Sequence, residues 1–251
     1  MLVGELHNVI VFVQSMKQGK KLLPACIIIR PRYIKENCSS GQLDKAIQVC
    51  PVTVDDEFNF NTTQRKAIFK NYASEYPQLP AIDMKHCTRC GECEKIFESI
   101  DFSQQENSLQ LHVGSVLMAT GFDPYTPETG EFSFQEISNV ITLPQFLRLV
   151  ALNNDKIIYN GKIINHIAYI YCVGSRQEEG ENKYCSRYCC TSTIHASLEA
   201  KKKFKNIHNY HFTRGVRTYG KQEILYRESC NAGDVFLQSY ENDPPVVLKE
   251  G

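Results

Sequence analysis

The chain lacks tryptophan, any Gly-x-Gly step, a net charge, and any apolar run near the roughly eighteen residues of a membrane-spanning helix. The absence of tryptophan excludes nothing. The charge balance, 28 Lys and Arg against 28 Asp and Glu, provides no electrostatic footprint for nucleic acid or an anionic membrane surface. Without G-x-G-x-x-G, these 251 residues hold no glycine-rich loop of the kind that seats a dinucleotide pyrophosphate at a helix N-terminus. Met1–His7 shows no basic segment leading into an apolar stretch and a cleavage site, so no secretory signal is expected. No solenoid-period repeat or low-complexity tract is present. The length suits one or two domains with their own cores.

What the chain has in excess is cysteine, 11 in all. Without a signal, these point to a reducing, cytoplasmic setting and to metal ligation rather than disulfides. The densest group reads Cys172-Val-Gly174-Ser175-Arg176, then Tyr184-Cys185-Ser-Arg-Tyr-Cys189-Cys190, a C-x12-C-x3-C-C spacing. A strand-like run, Ile167–Tyr171, delivers the first cysteine, and a helix-like run, Thr191–Lys203, follows the last. Soft thiolates at a strand end and a helix N-terminus suit an iron–sulfur cluster or zinc, and the positive helix end favours an anionic group.

A second group follows a ferredoxin pattern. Two-cluster bacterial ferredoxins repeat C-x2-C-x2-C-x3-C-P, and the last cysteine of each run ligates the cluster of the other. Here the second run keeps Cys87, Cys90 and Cys93 but has Phe97 at the fourth position. The first run keeps Cys38 and Cys50-Pro51 and lacks both middle cysteines. Under the crossover rule, Cys50, Cys87, Cys90 and Cys93 form one complete set, while the other set is abolished and Cys38 is left over. Zinc on the same four residues is the rival. Gly91 favours the ferredoxin loop, because glycine lets the backbone wrap a bulky cluster. His86 is read as a surface side chain, with donation to the cluster as the alternative. Cys26 reads as a small buried hydrophobe, and Cys230 has no partner motif.

The remaining segments read as flanking structure. Asn8–Gln14 and Leu22–Arg30 are predicted as a hairpin turning at Met16–Lys20. Leu109–His112 is a short strand, and Val113–Ala119 a buried parallel-type strand ending in Ala119-Thr120-Gly121. Tyr76–Pro80 is proline-rich and irregular. Thr142–Ala151 is an amphipathic helix with a threonine cap and a proline near its start. Strands at 167–173, 207–212 and 234–238 alternate with helices at 191–203 and 222–228, a βαβαβ unit with a parallel sheet.

The Cys172–Arg176 and Tyr184–Cys190 segments resemble the family of heterodisulfide reductase A subunits. Pro31–Lys35, Gln64–Ile68, Ala119–Tyr125 and Arg217–Lys221 extend the likeness over nearly the whole chain. The resemblance implies a partial Rossmann-like, thioredoxin-reductase-like flavoprotein fold of α/β class with an inserted ferredoxin-like α+β domain. Residues 1–37 and 106–150 would be part of an FAD-binding domain, 38–105 the insertion, and 151–251 a second Rossmann-like half carrying the cysteine motif. Cys50, Cys87, Cys90, Cys93 and Cys172, Cys185, Cys189, Cys190 would then hold two 4Fe–4S clusters. Ala119, Thr120, Gly121, Gly174, Ser175 and Arg176 would contact flavin. The family's FAD fingerprint is missing here, so FAD would be shared with a partner chain that carries it, in a split subunit or a fragment. The expected function is electron relay between flavin and clusters within a cytoplasmic complex, without nucleic acid or membrane insertion. The alternative is a zinc-stabilised interaction module without redox activity.

Overall fold

A computed structural model describes residues 9–10, 23–29, 33–34, 40–70, 80–113, 117–118 and 122–249. The fold is mixed α/β with small sheets, and its contacts divide into two units, Met1–Asp123 and Pro124–Gly251.

In the first unit, β1 (Val9–Ile10) pairs antiparallel with β8 (Leu117–Met118). β2 (Leu23–Ile29) pairs antiparallel with β7 (Asn107–Val113), in register from Leu23 opposite Val113 to Ile29 opposite Asn107. The predicted hairpin between the first two strands is therefore corrected, since the described partner of each lies on the far side of residues 33–102. The parallel-type strand is corrected too, because Leu117–Met118 runs antiparallel to its neighbour. An uninterrupted apolar run signals burial on both faces and is blind to strand direction.

The ribbon's end is tied at Tyr33 and Ile34. Ile34 bridges Ile100, Tyr33 accepts from the Asp101 N–H at 2.9 Å, and its own N–H donates to Gln104 Oε1 at 2.8 Å. Beyond this neck lie α1 (Ser40–Val49), the hairpin β3 (Thr53–Asp55) and β4 (Gln64–Lys66), and the pair β5 (Ile68–Lys70) and β6 (Pro80–Ile82). Their core gathers Leu43, Ala46, Cys50, Ile68, Ile82, Cys93, Phe97 and Ile100.

In the second unit, Thr142 caps α2 (Leu143–Leu152) with a reciprocal bond to Gln145, and Pro144 occupies the first turn. The C-terminal carbonyls of α2 at Val150 and Ala151 accept from Lys203 Nζ at 2.8 and 3.3 Å. A hairpin of β9 (Ile158–Tyr159) and β10 (Lys162–Ile163) turns on Asn160-Gly161, both at positive φ as a primed turn requires. Then β11 (His166–Ile170), α3 (Cys189–Lys203), β12 (His208–Thr213), α4 (Glu223–Asn231) and β13 (Val235–Gln238) alternate, and the strands form a parallel sheet in the order β11-β12-β13. The core joins Phe146, Leu149 and Val150 of α2 to Tyr169, Tyr171, Cys172, Cys190, Ala196 and Ala200. Two cysteines of the dense group are thus core residues. Among the described residues no helix is long and apolar enough to cross a membrane.

Candidate metal centres

Cys50 directly follows helix α1 and is buried. Cys87, Cys90 and Cys93 follow β6 on an irregular loop. All four line one pocket, whose apolar wall is Val52, Ile68, Ile82 and Phe102. The loop is wound by left-handed backbone at Arg89 (φ 53°) and Gly91 (φ 77°). That winding turns the Arg89 N–H onto Cys87 Sγ at 3.4 Å.

Asp83 anchors the loop's start. Its carbonyl accepts the Cys87 N–H at 2.8 Å, and its carboxylate engages the Lys85 N–H at 3.1 Å and Arg65 Nη2 and His86 Nδ1, each at 3.0 Å. Burial alone would raise the Asp83 carboxyl, but His86 and Arg65 outweigh it and hold the group below its ordinary value. His86 therefore serves this anchor, a third role beside the two considered for it. Burial and the neighbouring thiols push Cys93 up to about 11. Phe97 stands where a fourth cysteine would begin a second set. Its ring is fully buried, and its N–H donates to the Cys93 carbonyl at 2.9 Å. Cys38 and the side chain of Cys26 lie outside the described residues.

In the second unit, Cys172 leaves β11 in left-handed geometry (φ 60°), and Gly174 (φ 67°) turns the loop back. A Cβ on Gly174 would fall 2.4 Å from the Tyr125 ring, so only glycine fits beneath that ring. Arg214 clamps the loop. Its guanidinium donates to the carbonyls of Cys172 (3.0 Å), Ser175 (2.6 Å) and Arg176 (3.0 Å) and is neutralised by Glu241. Arg176 Nη1 reaches the Arg214 carbonyl at 2.8 Å and Cys172 Sγ at 3.7 Å. Ser175 is buried within the loop.

Cys189 and Cys190 begin α3, whose 15 residues aim the positive end of its dipole at their sulfurs. The Arg217 N–H donates to Cys190 Sγ at 3.4 Å, and the Arg187 N–H to Cys185 Sγ at 3.4 Å. Cys172, Cys189 and Cys190 lie close enough to perturb one another's thiols. Donation from Cys189, helped by Arg217, brings Cys190 down to about 7 despite burial, whereas the bond to Cys189 and burial push Cys172 up.

The two centres share a local device. In Cys87-Thr-Arg89 and Cys185-Ser-Arg187, the arginine sits at positive φ (53° and 58°) and turns its N–H onto the cysteine sulfur two residues back. The common Cys-x-Arg is a sequence signal that cysteine spacing alone passes over. No motif marks Arg214 or Asp83, and Tyr125 lies in the family-like Ala119–Tyr125 segment, which does not by itself signal its contact with Gly174. Arg217 reaches the centre through its backbone rather than its charge. Gly174, Ser175 and Arg176 lie on the Cys172 loop, while Ala119, Thr120 and Gly121 lie outside the described residues. Cys230 is exposed.

Among the described residues, no set of three or more His, Cys, Asp or Glu side chains is arranged as a ready-made site for a metal ion. The donor sets are nonetheless of cluster type. Each is four cysteines, with amide N–H groups aimed at sulfur, which is how proteins hold iron–sulfur clusters and set their potentials.

No family model matches the chain. Among curated proteins, it is 31% identical to the A subunit of the ferredoxin:CoB-CoM heterodisulfide reductase of Methanosarcina acetivorans, over 83% of this chain and 31% of that protein. It is 31% identical to the iron-sulfur A subunit of the CoB–CoM heterodisulfide reductase of Methanocaldococcus jannaschii, over 80% of this chain and 32% of that protein. It is 33% identical to the second iron-sulfur A subunit of the CoB–CoM heterodisulfide reductase of Methanopyrus kandleri, over 83% and 33%. The chain thus spans about a third of the length of the curated relatives it matches.

Proposed function

Since the chain belongs to the family of heterodisulfide reductase A subunits, as a stretch about a third as long as its relatives, we propose that it is an electron-transfer subunit of a heterodisulfide-reductase-like oxidoreductase complex in the cytoplasm. Cys50, Cys87, Cys90 and Cys93 would hold one 4Fe–4S cluster, and Cys172, Cys185, Cys189 and Cys190 a second. The observation that carries this reading is the single pocket lined by the four cysteines that the crossover rule selects from two incomplete runs. Bound clusters would accept and release single electrons.

The protein's own contribution is positional. The Arg89, Arg187 and Arg217 amides direct positive dipoles at cysteine sulfur, and the start of α3 adds its field to Cys189 and Cys190. Arg214 and Asp83 hold the two loops, and the apolar wall of the first pocket limits water. These factors favour the charge of a reduced cluster. In this reading residues 1–37 with 106–150 and residues 151–251 are two Rossmann-like parts flanking a ferredoxin-like insertion at 38–105. FAD is shared with a partner protein that supplies the missing glycine-rich loop, with Ala119–Gly121 and Gly174–Arg176 on the flavin side.

The test is anaerobic purification with iron and sulfide analysis, which should give about eight of each per chain. A value near about four would remove one of the two assignments, and zinc in place of iron would remove the redox reading altogether.

A further inference from the structure

Beneath the Cys172 loop runs a buried polar chain that electron relay does not use. His211 of β12 is fully buried. Its ring is sandwiched between Phe236 (4.4 Å, 9°) and Tyr169 (4.9 Å, 16°), which fixes the directions of both nitrogens. Nδ1 meets the Tyr171 hydroxyl at 2.9 Å, and Tyr171 is the residue before Cys172. Nε2 has no hydrogen-bond partner, and it faces Asp234 Oδ2 at 3.5 Å. Asp234 is itself held by Ser229 Oγ (2.6 Å) and Ser197 Oγ (3.2 Å) on Oδ2, and by Asn209 Nδ2 (3.0 Å) and Lys201 Nζ (2.6 Å) on Oδ1. Lys201 alone of these reaches toward solvent, with its side chain 18% exposed.

A buried nitrogen pointing at a carboxylate without completing a bond is a costly arrangement in a low-dielectric core. It becomes favourable if a proton is added. Imidazolium would donate from Nε2 to Asp234 and from Nδ1 to the Tyr171 oxygen, and its charge would be balanced. We propose that His211 is the positioning residue that takes up a proton when the neighbouring centre on Cys172, Cys185, Cys189 and Cys190 gains an electron. The inference rests on the cluster assignment made above.

One electron enters the cluster from a one-electron donor such as a reduced flavin. One proton would pass from water, by way of the partly exposed Lys201 and of Asp234, to His211. No bond to the cluster forms or breaks, and oxidation returns both. Without the proton, reduction would add an uncompensated negative charge to the core that holds Cys172 and Cys190. The groups facing His211 are Tyr169 from β11, Tyr171 just after it, Phe236 from β13, and Asp234, which carries the Lys201, Ser197, Ser229 and Asn209 contacts of its surroundings. Asp234 is hydrogen-bonded by Ser229, Ser197 and Asn209 and paired with Lys201, and its carboxylate supplies a counter-charge for an imidazolium.

The experiment is an EPR-monitored redox titration of the reconstituted full chain at several pH values across the neutral range, with Cys87→Ser used to assign the signals. The midpoint potential of the second cluster should fall by about 59 mV per pH unit, one proton per electron. In His211→Gln, which keeps a polar amide in the same space, that slope should vanish while the first cluster's behaviour is unchanged. Asp234→Asn should flatten it as well. A flat potential in the unmodified chain, or a slope that survives His211→Gln, overturns the inference while leaving the cluster assignment standing. Absence of the second cluster's signal instead overturns the assignment and the inference with it.

Discussion

At the scale of single residues, the second centre depends on two side chains and one absent one. Gly174 accepts a positive φ and a ring against its Cα, so Gly174→Ala is penalised twice. Arg214 satisfies three loop carbonyls, and Arg214→Met would leave those groups unpaired at about 1–3 kcal/mol for each that stays buried. Both variants should lose the iron bound through Cys172, Cys185, Cys189 and Cys190 while keeping the iron of the first unit. The pairing Gly174→Ala with Tyr125→Ala should recover only part of the loss, because the steric conflict is removed and the backbone strain remains. Iron analysis with EPR on each variant reads this out, and loss of both centres together would refute the separate roles argued here. The cysteines are legible as candidate ligands because ligand chemistry demands an identity at a spacing. Arg214 was not, because a guanidinium donating to distant carbonyls leaves no local pattern.

At the scale of elements, pattern worked where hydrophobic period and capping agree. The α2 boundaries follow from Thr142 and Pro144, and the β11–β13 alternation appears as read, with small shifts at its ends. It failed where the partner strand is remote in sequence. Leu23–Ile29 was assigned to the adjacent apolar run, yet Asn107–Val113 claims it, because the intervening residues fold into their own core and return the chain antiparallel. The Asp56 turn and the Asn160-Gly161 hairpin carried turn residues that motif-centred reading overlooked. Within the second unit, α3, β12 and α4 converge on Asp234, and this junction sets the acid limit of stability. Its carboxyl titrates lower when folded than when unfolded, so acidification adds protons to the unfolded chain first. The stabilisation should be complete above the ordinary aspartate range, about pH 4, and should be lost progressively as pH falls below it toward the lower folded value. Denaturant unfolding of the second unit's signal against pH should show this loss. Asp234→Asn should lower the plateau and flatten the acid limb, and an unchanged acid limb in the variant would contradict the assignment.

At the scale of the whole molecule, one unit lines a pocket with Cys50, Cys87, Cys90 and Cys93, and the other carries Cys172, Cys185, Cys189 and Cys190, each unit with its own core. In the first unit, Phe97 fills the position a further thiolate would need, so the missing ligands of the ferredoxin pattern are replaced by packing rather than by another donor. Everything therefore turns on which cysteines belong together. The most direct test is spin quantification and iron content of anaerobically purified Cys87→Ser, Cys190→Ser and Cys38→Ser variants. Cys87→Ser and Cys190→Ser should each lose about four iron atoms and a different EPR signal, while Cys38→Ser keeps both signals and the full complement. Loss of a cluster on replacing Cys38, or loss of the same signal from both of the other variants, would contradict two independent clusters on the ligand sets named here.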